Sequence, residues 1–180
     1  KPYRSPLLAD ARTIAQPFVS KCSNLNRIII PFFLEENDNS GKIRFNLYQA
    51  GKQNEPVFFT DLDAAQFPAP VTIGTHSLRG VLYPVWMPPL PDSANNEFIW
   101  EIITHSAEPP RGIGVYLTDT PDAQLQPVLI NGVKGTGSSA FFSYCQYRFD
   151  WDQIFKSTGQ KLWREKYFIA AYLMLAGGIL

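Results

Sequence analysis

The chain has 180 residues, a formal net charge of zero, 45% hydrophobic residues and 18% charged residues. This length fits one domain with some residues left over. The absence of a basic surplus argues against a nucleic-acid-binding protein, so we expect no nucleic-acid partner. Fifteen prolines and twelve glycines favour a loop-rich β protein over a helical bundle.

The chain begins Lys-Pro-Tyr-Arg, without an initiating methionine or a signal peptide. We interpret it as a piece of a longer protein. Residues 1–12 show no clear period and are predicted to be an N-terminal lead-in.

The first strands are predicted over Thr13–Val19 and over residues 26–36, where Pro31 indicates an edge position or a bulge. Over residues 42–49, apolar and polar side chains alternate with period two. One face of this strand is therefore expected to be buried and the other solvated. A turn with the sequence ENDNSG separates these two strands.

Further strands are predicted over residues 57–62, 78–87, 97–104, 112–119, 126–132 and 139–151. The total is about eight or nine short strands, separated by turn signals at roughly 8–12 residue steps. This pattern is typical of an antiparallel all-β sandwich or barrel, here assigned to residues 13–151. No helical segments alternate with the strands, which argues against a parallel α/β sheet.

A C-terminal helix is predicted over residues 152–180. Its last fourteen residues, Tyr167–Leu180, carry no charge but fall short of the ~20 residues that span a bilayer. Lys161, Trp163 and Arg164 precede them, and basic and aromatic residues favour a membrane interface. We interpret the segment as the start of a transmembrane helix. A buried core helix and an amphipathic helix lying on a membrane are the alternatives.

The two cysteines, Cys22 and Cys145, are far apart in sequence. In an oxidising compartment they could form a disulfide that joins the first and last parts of the fold. The alternative is two buried free thiols. No cysteine or histidine spacing predicts a zinc site.

Four segments together resemble a known type of domain. They are residues 16–18 (QPF), 25–28 (LNRI), 41–43 (GKI) and 87–102 (MPPLPDSANNEFIWEI). The chain resembles the extracytoplasmic jelly-roll β-sandwiches inserted between membrane helices of bacterial inner-membrane proteins linked to cell-surface polysaccharide synthesis or glycosyl transfer. Such domains are similar to carbohydrate-binding modules. The resemblance implies a jelly-roll fold and a periplasmic location, and it carries over no functional residue.

Motifs for catalysis are weak. His76 and His105 each occur as Thr-His-Ser, outside any metal-ligand spacing. Residues 132–139 (GVKGTGSS) lack the lysine of a phosphate loop, and residues 111–117 (RGIGVYL) lack the third glycine of a dinucleotide fingerprint. We therefore expect a non-enzymatic domain without a cofactor. Glu35 and Asp38 are weak calcium-ligand candidates, although the same residue types form ordinary turns.

Aromatic residues make up 14% of the chain and could stack against sugar rings. The candidates for saccharide stacking are Trp86, Tyr83, Trp100 and Tyr116. The alternative is that most of them belong to the core. Trp86 is the strongest candidate, because Pro84, Pro88 and Pro89 suggest that it lies in or near a loop.

The sequence therefore predicts a non-catalytic, extracytoplasmic domain attached to the inner membrane by flanking helices, which binds or positions a saccharide or a lipid-linked glycan. One alternative is a structural domain that binds a protein partner and no small molecule. A glycan-acting enzyme is the other alternative.

Overall fold

The computed structural model describes residues 2–8, 12–34, 41–52, 54–68, 71–73, 78–104, 112–118 and 126–146. Residues Lys1–Gln146 form one compact unit. A second unit, Tyr147–Leu180, and with it the predicted C-terminal helix, lies outside the described residues. Across the described residues, no helix has both the length and the apolar character to cross a bilayer.

The described residues form thirteen strands and one short 3-10 helix, Ala64–Gln66. The strands are β1 (Pro2–Arg4), β2 (Thr13–Val19), β3 (Leu25–Leu34), β4 (Lys42–Gln49), β5 (Phe58–Asp63), β6 (Val71–Ile73), β7 (Leu78–Leu90), β8 (Glu97–Thr104), β9 (Ile113–Thr118), β10 (Leu129–Ile130), β11 (Val133–Lys134), β12 (Ser138–Ser139) and β13 (Phe142–Cys145). All pairings between them are antiparallel. The predicted antiparallel all-β class is confirmed.

The first sheet has six strands in the order β11-β10-β2-β8-β4-β5. Its central strands follow the alternation in the sequence. In β4, Ile43, Phe45 and Leu47 are buried, and in β8 Phe98, Trp100 and Ile102 are buried. The bounds of β2, β4 and β8 agree with the predicted ones. In β4 and β8, the period-two alternation of apolar and polar residues marks the strand clearly.

The second sheet has seven strands, with the order β1-β9-β3-β7-β6 and with β12 paired to β9 and β13 paired to β3. One edge of β3 is shared by two partners. β13 pairs with residues 25–29 of β3, and β9 pairs with residues 32–34. Pro31 lies in the interval between them, so a central strand tolerates a residue without an N–H group there. The prediction of an edge position or a bulge at Pro31 is wrong, because β3 has partners on both sides and its register shift lies between Leu25 and Arg27.

On one side, strand β7 pairs with β3 over residues 80–90. On the other side, β6 pairs with residues 78–80, and no described strand pairs with residues 81–90. Pro84 lies along this open edge. Pro88 and Pro89 lie in a bulge opposite β3, between the pairs Arg27↔Trp86 and Leu25↔Leu90. Edges and bulges are the places where a sheet accommodates proline.

The two sheets share one hydrophobic core in a sandwich-like arrangement. The six-stranded sheet contributes Ile14, Phe45 and Trp100 to this cluster, among others, and the seven-stranded sheet contributes Phe32 and Val115, among others. Burial of such side chains is the main favourable term in folding.

Residues 1–12 contribute a strand to the sandwich. Strand β1 pairs with β9 over Pro2↔Thr118, Tyr3↔Leu117 and Arg4↔Tyr116. Leu8 is fully buried in the core. The segment that the sequence assigned to a lead-in therefore belongs to the folded unit.

A buried polar side chain, Gln16, joins the two sheets. Gln16 lies in β2, has no exposed surface and points into the core. Its Oε1 atom accepts a hydrogen bond of 2.8 Å from the backbone N–H of Ser139 in β12. Its Nε2 atom donates to the carbonyl oxygen of Gln126. Because buried polar groups must be paired, the Gln16 amide and the buried N–H of Ser139 satisfy each other.

The structure pairs Cys22 with Cys145 in a disulfide, with a Cα–Cα distance of 6.1 Å and a sequence separation of 123 residues. Nearby, the buried Ser93 Oγ accepts from Leu25 N at 3.0 Å and donates to the Cys22 carbonyl oxygen at 2.9 Å. The segment 91–96 forms the predicted turn, with Asp92 and Asn95 at positive φ. Ser93 therefore ties this turn to residues 22–25 at one end of the sandwich.

We expect Gln16→Leu to lower the free energy of unfolding by roughly 1–3 kcal/mol, because it leaves the buried N–H of Ser139 without its partner. Urea unfolding of the variant and of the unsubstituted chain measures the difference. Gln66→Leu, at an exposed position, is the control, with an expected change within about 0.5 kcal/mol. Equal losses in the two variants would contradict the role given to Gln16.

We expect reduction of the disulfide to lower the free energy of unfolding by roughly 2–5 kcal/mol, because the bond closes a long loop in the unfolded chain. Denaturant unfolding with and without a reductant measures this loss. The double variant Cys22→Ser, Cys145→Ser should unfold alike in both conditions. A reductant that leaves the unfolding of the unsubstituted chain unchanged would contradict the prediction.

Candidate functional site

Two of the four aromatic residues predicted to stack on saccharides lie in the protein interior. Trp100 has no exposed surface and packs against Phe141, with ring centroids 5.8 Å apart. Tyr116 is 2% exposed and lies 5.6 Å from the Phe33 ring. A buried ring offers no face to a ligand, so Trp100 and Tyr116 are no longer candidates for stacking.

Tyr83 lies on the inner face of β7. It is half-buried against the core, and its ring centroid lies 4.6 Å from that of Phe67. Successive side chains of a strand point to opposite faces, so Tyr83 and Trp86 point to opposite faces of β7. The two residues do not form one surface.

Trp86 lies within β7 and not in the predicted loop. It is on the outer face of the seven-stranded sheet and is 58% exposed. Neighbouring Val85 and Met87 are buried, which fixes the outward direction of Trp86. Of the four predicted stacking residues, Trp86 alone has a largely accessible ring.

Trp86 belongs to a row of three side chains that crosses three adjacent strands. The register aligns Trp86 of β7 with Arg27 of β3 and Arg27 with Tyr144 of β13. The guanidinium carbon of Arg27 lies 4.5 Å from the Trp86 ring centroid and 4.1 Å from that of Tyr144. These are cation–π distances, and the two contacts hold the rings and the guanidinium together.

Apolar side chains extend this row on the same face. The next row holds Phe142, Ile29 and Pro84, and Leu82 lies opposite Pro31 in the row beyond. Phe142, Tyr144 and Leu82 are exposed. We call this surface the aromatic patch, defined as Trp86, Tyr144, Phe142 and Leu82 around Arg27. Exposed apolar surface of this kind marks an interaction site.

Sequence reasoning found Trp86 but did not single out Arg27 or Phe142. Nothing in the sequence distinguishes Tyr144 from the other aromatic residues. The alternation in β3 places Arg27 and Ile29 on the face opposite Ile28 and Ile30, a signal that the sequence does contain. The register between β3, β7 and β13 sets which residues become neighbours, and no local pattern reveals it.

A second arginine stacks on an exposed aromatic ring on the other sheet. Arg44 of β4 lies 5.5 Å from the ring centroid of Phe59, which is 58% exposed. Arg44 also forms a two-pronged ion pair with Asp61, with Nε–Oδ1 2.8 Å and Nη2–Oδ2 3.1 Å. The hydrogen bond to Asp61 raises the pKa of Arg44. The charge of Arg44 is therefore neutralised within the protein.

A groove of about 220 Å³ opens on the outer face of the six-stranded sheet. Its lining includes Thr13, Tyr48, Ile99 and Glu101. The buried Asn46 donates from Nδ2 to the Tyr48 hydroxyl at 3.2 Å and to Glu101 Oε2 at 3.5 Å. Pockets for small molecules typically measure about 300–1,000 Å³, so this groove suits a group no larger than one sugar ring.

Glycines of the two segments compared above with nucleotide-binding motifs, residues 111–117 and 132–139, have structural roles. Gly114 of β9 packs against the Phe33 ring, which would clash with a Cβ atom at that position. Gly137 packs similarly closely against Tyr3 and the carbonyl oxygen of Thr118, 2.8 Å from an ideal Cβ. Gly114 and Gly137 therefore allow close packing against these neighbours, whereas Gly132 occupies a turn at positive φ.

The remaining predicted sites lie outside the described residues. They are the calcium candidates Glu35 and Asp38, together with His76 and His105. Within the part of the chain that the structure describes, no group of three or more His, Cys, Asp or Glu side chains could hold a metal ion.

Comparison with known proteins gives no relative. No protein-family model matches the chain, and neither does any curated protein or solved structure. The functional argument therefore depends on the geometry of the chain itself.

Partial burial, together with the charge of Glu101 and a hydrogen bond to it, raises the pKa of Tyr48 above the ordinary value of 10.0. The folded state thus holds the phenol proton more tightly than the unfolded state. The resulting stability is present below pH 10 and is lost as the pH rises through the folded pKa.

We therefore expect Tyr48→Phe to lose less stability above pH 10 than the unsubstituted chain. Urea unfolding between pH 8 and pH 11 measures this difference. The difference in phenolate absorbance between the unsubstituted chain and Tyr48→Phe reports the titration of Tyr48, one of eight tyrosines. Glu101→Gln should bring the Tyr48 pKa closer to its ordinary value. Parallel stability curves for Tyr48→Phe and the unsubstituted chain would contradict the prediction.

Proposed function

We propose that this chain is a non-catalytic, extracytoplasmic domain of a membrane protein that binds or positions a saccharide or a lipid-linked glycan. The observation that carries the proposal is the exposed Trp86 ring, held in place by Arg27 in a flat patch on the seven-stranded sheet. A sugar presents an apolar C–H face that packs on such a ring. Because Trp86 is already positioned, little conformational entropy is lost on binding.

The proposal includes a jelly-roll fold, which the strand order supports. We set aside β6, a three-residue strand paired antiparallel to β7, and number the other strands of the first nine from one to eight. The sheets then read first-eighth-third-sixth and second-seventh-fourth-fifth. This is the neighbour order of an eight-stranded jelly roll, a fold that many lectin domains share. A membrane-anchoring helix over residues 152–180 is the second part of this architecture.

The extracytoplasmic location is supported by the Cys22–Cys145 disulfide. Disulfides form and persist in oxidising compartments and are rare in the cytosol. The sequence resemblance to periplasmic jelly-roll domains points the same way. A tethered domain in this compartment would meet glycans that are assembled or exported at the membrane.

The test is binding of the 180-residue chain to a panel of bacterial surface glycans, with Trp86→Ala in parallel. We expect saturable binding that Trp86→Ala weakens at least about tenfold, the loss typical of a central aromatic contact. Phe59→Ala is the matched control. Phe59 has the same exposure as Trp86 and also stacks with an arginine, Arg44, but it lies on the other sheet.

Two outcomes would count against the proposal. Equal losses of glycan affinity in Trp86→Ala and Phe59→Ala would show that the aromatic patch is not the binding site. No binding to any glycan by a chain that unfolds cooperatively would favour the alternative of a structural or protein-interaction domain. Hydrolysis or transfer of a panel glycan would favour the enzyme alternative.

A further inference from the structure

We propose that Arg27 makes the aromatic patch select saccharides that carry a negative charge, namely sugars with a carboxylate group such as uronic acids. This inference rests on the proposed function and names the class of ligand for the same surface. Its basis is the charge of Arg27, which the described part of the protein leaves unneutralised.

Arg27 and Arg44, two of the arginines that stack on aromatic rings, show the difference; a third, Arg4, lies 5.1 Å from the Phe33 ring centroid. Arg44 stacks near Phe59 and is paired with Asp61 at 2.8 Å. Arg27 stacks near Trp86 and Tyr144, and no carboxylate among the described residues lies within ion-pair distance of it. A partner for Arg44 is thus built into the fold, whereas the anion that would complement Arg27 has to come from a ligand.

The surroundings of Arg27 strengthen its interaction with an anion. The adjacent row consists of Phe142, Ile29 and Pro84, all without charge. The Nε atom of Arg27 is buried and has no hydrogen-bond partner. Apolar neighbours lower the effective dielectric constant, so an anion placed here interacts more strongly than it would with a fully solvated arginine.

The guanidinium is also held in a fixed orientation. Trp86 and Tyr144 both contact it, at 4.5 Å and 4.1 Å from their ring centroids, from the two neighbouring strands. A planar, positioned guanidinium matches the two oxygens of a carboxylate through paired hydrogen bonds, which a lysine ammonium does not reproduce. Selection by Arg27 should therefore depend on its shape as well as on its charge.

A uronic acid satisfies both features of the patch with one ring. Its C–H face can stack on the face of Trp86 that is turned away from Arg27, while its carboxylate extends past the ring edge to the guanidinium, whose carbon lies 4.5 Å from the ring centroid. A neutral hexose satisfies only the first feature. An anionic lipid headgroup offers the charge without the sugar ring, so vesicles separate these two sources of anion.

The experiment compares binding of the 180-residue chain to two oligosaccharides of the same length and linkage, one of uronic acids and one of the neutral hexose. We expect the uronate oligosaccharide to bind at least about tenfold more tightly at low salt. This preference should shrink as salt is raised from 50 mM to 500 mM, since salt screens exposed charges. Both measurements use the unsubstituted chain and need no variant to fold.

Variants then assign the effect to Arg27. Arg27→Gln should reduce the preference for the uronate to less than about threefold, and Arg27→Lys should restore it only in part. Arg44→Gln, at the neutralised arginine on the opposite sheet, should leave the preference unchanged. Melting curves verify that each variant is folded.

The outcomes separate the two proposals. Equal binding of both oligosaccharides, lost in Trp86→Ala, would overturn the selectivity and leave the saccharide-binding function standing. Binding to phosphatidylglycerol vesicles with no binding to either oligosaccharide would overturn both. A uronate preference that survives Arg27→Gln would overturn the role of Arg27.

Discussion

The hydrogen bonds of Gln16 fix the course of the last described segment of the chain. Gln16 lies in the six-stranded sheet, and its amide holds Ser139 where β12 pairs with β9 of the seven-stranded sheet. From there the chain runs directly into β13, which pairs with β3 and ends at the disulfide of Cys145. One buried amide and one covalent bond therefore hold the two ends of the segment that carries Phe142 and Tyr144. The aromatic patch exists only because this segment lies beside β3.

The sequence predicts strands well where burial is one-sided and poorly where it is not. Strands β4 and β8 have period-two alternation, and their bounds follow from it. Strands β1, β6, β11 and β12 have two or three residues each, too few to show a period. Trp86 and Trp100 both lie in strands. Trp86 points away from the core and is 58% exposed, whereas Trp100 points into the core and has no exposed surface. The contact between Arg27 and Trp86 depends on the pairing of β3 with β7, which sequence spacing does not encode.

The two outer faces of the sandwich differ in how they treat charge. On the six-stranded sheet, Arg44 is matched by Asp61, and Glu101 shares hydrogen bonds with Asn46 and Tyr48. On the seven-stranded sheet, Arg27 is surrounded by aromatic and aliphatic side chains, and Arg4 lies 5.1 Å from the Phe33 ring centroid. Among the described residues, Arg44 thus has a carboxylate partner built into the fold, whereas Arg27 has aromatic partners only.

The open edge of β7 has a consequence for how copies of this protein can meet. An unpaired strand edge is a template for a strand from another molecule, and intermolecular sheets begin at such edges. Pro84, Pro88 and Pro89 lie along β7 and offer no N–H groups to an incoming strand. Growth of an extended β-aggregate from residues 84–89 is therefore disfavoured, even though exposed aromatic side chains lie on the same strand. Strand β7 can therefore expose aromatic side chains on its face while its prolines limit backbone pairing along its edge.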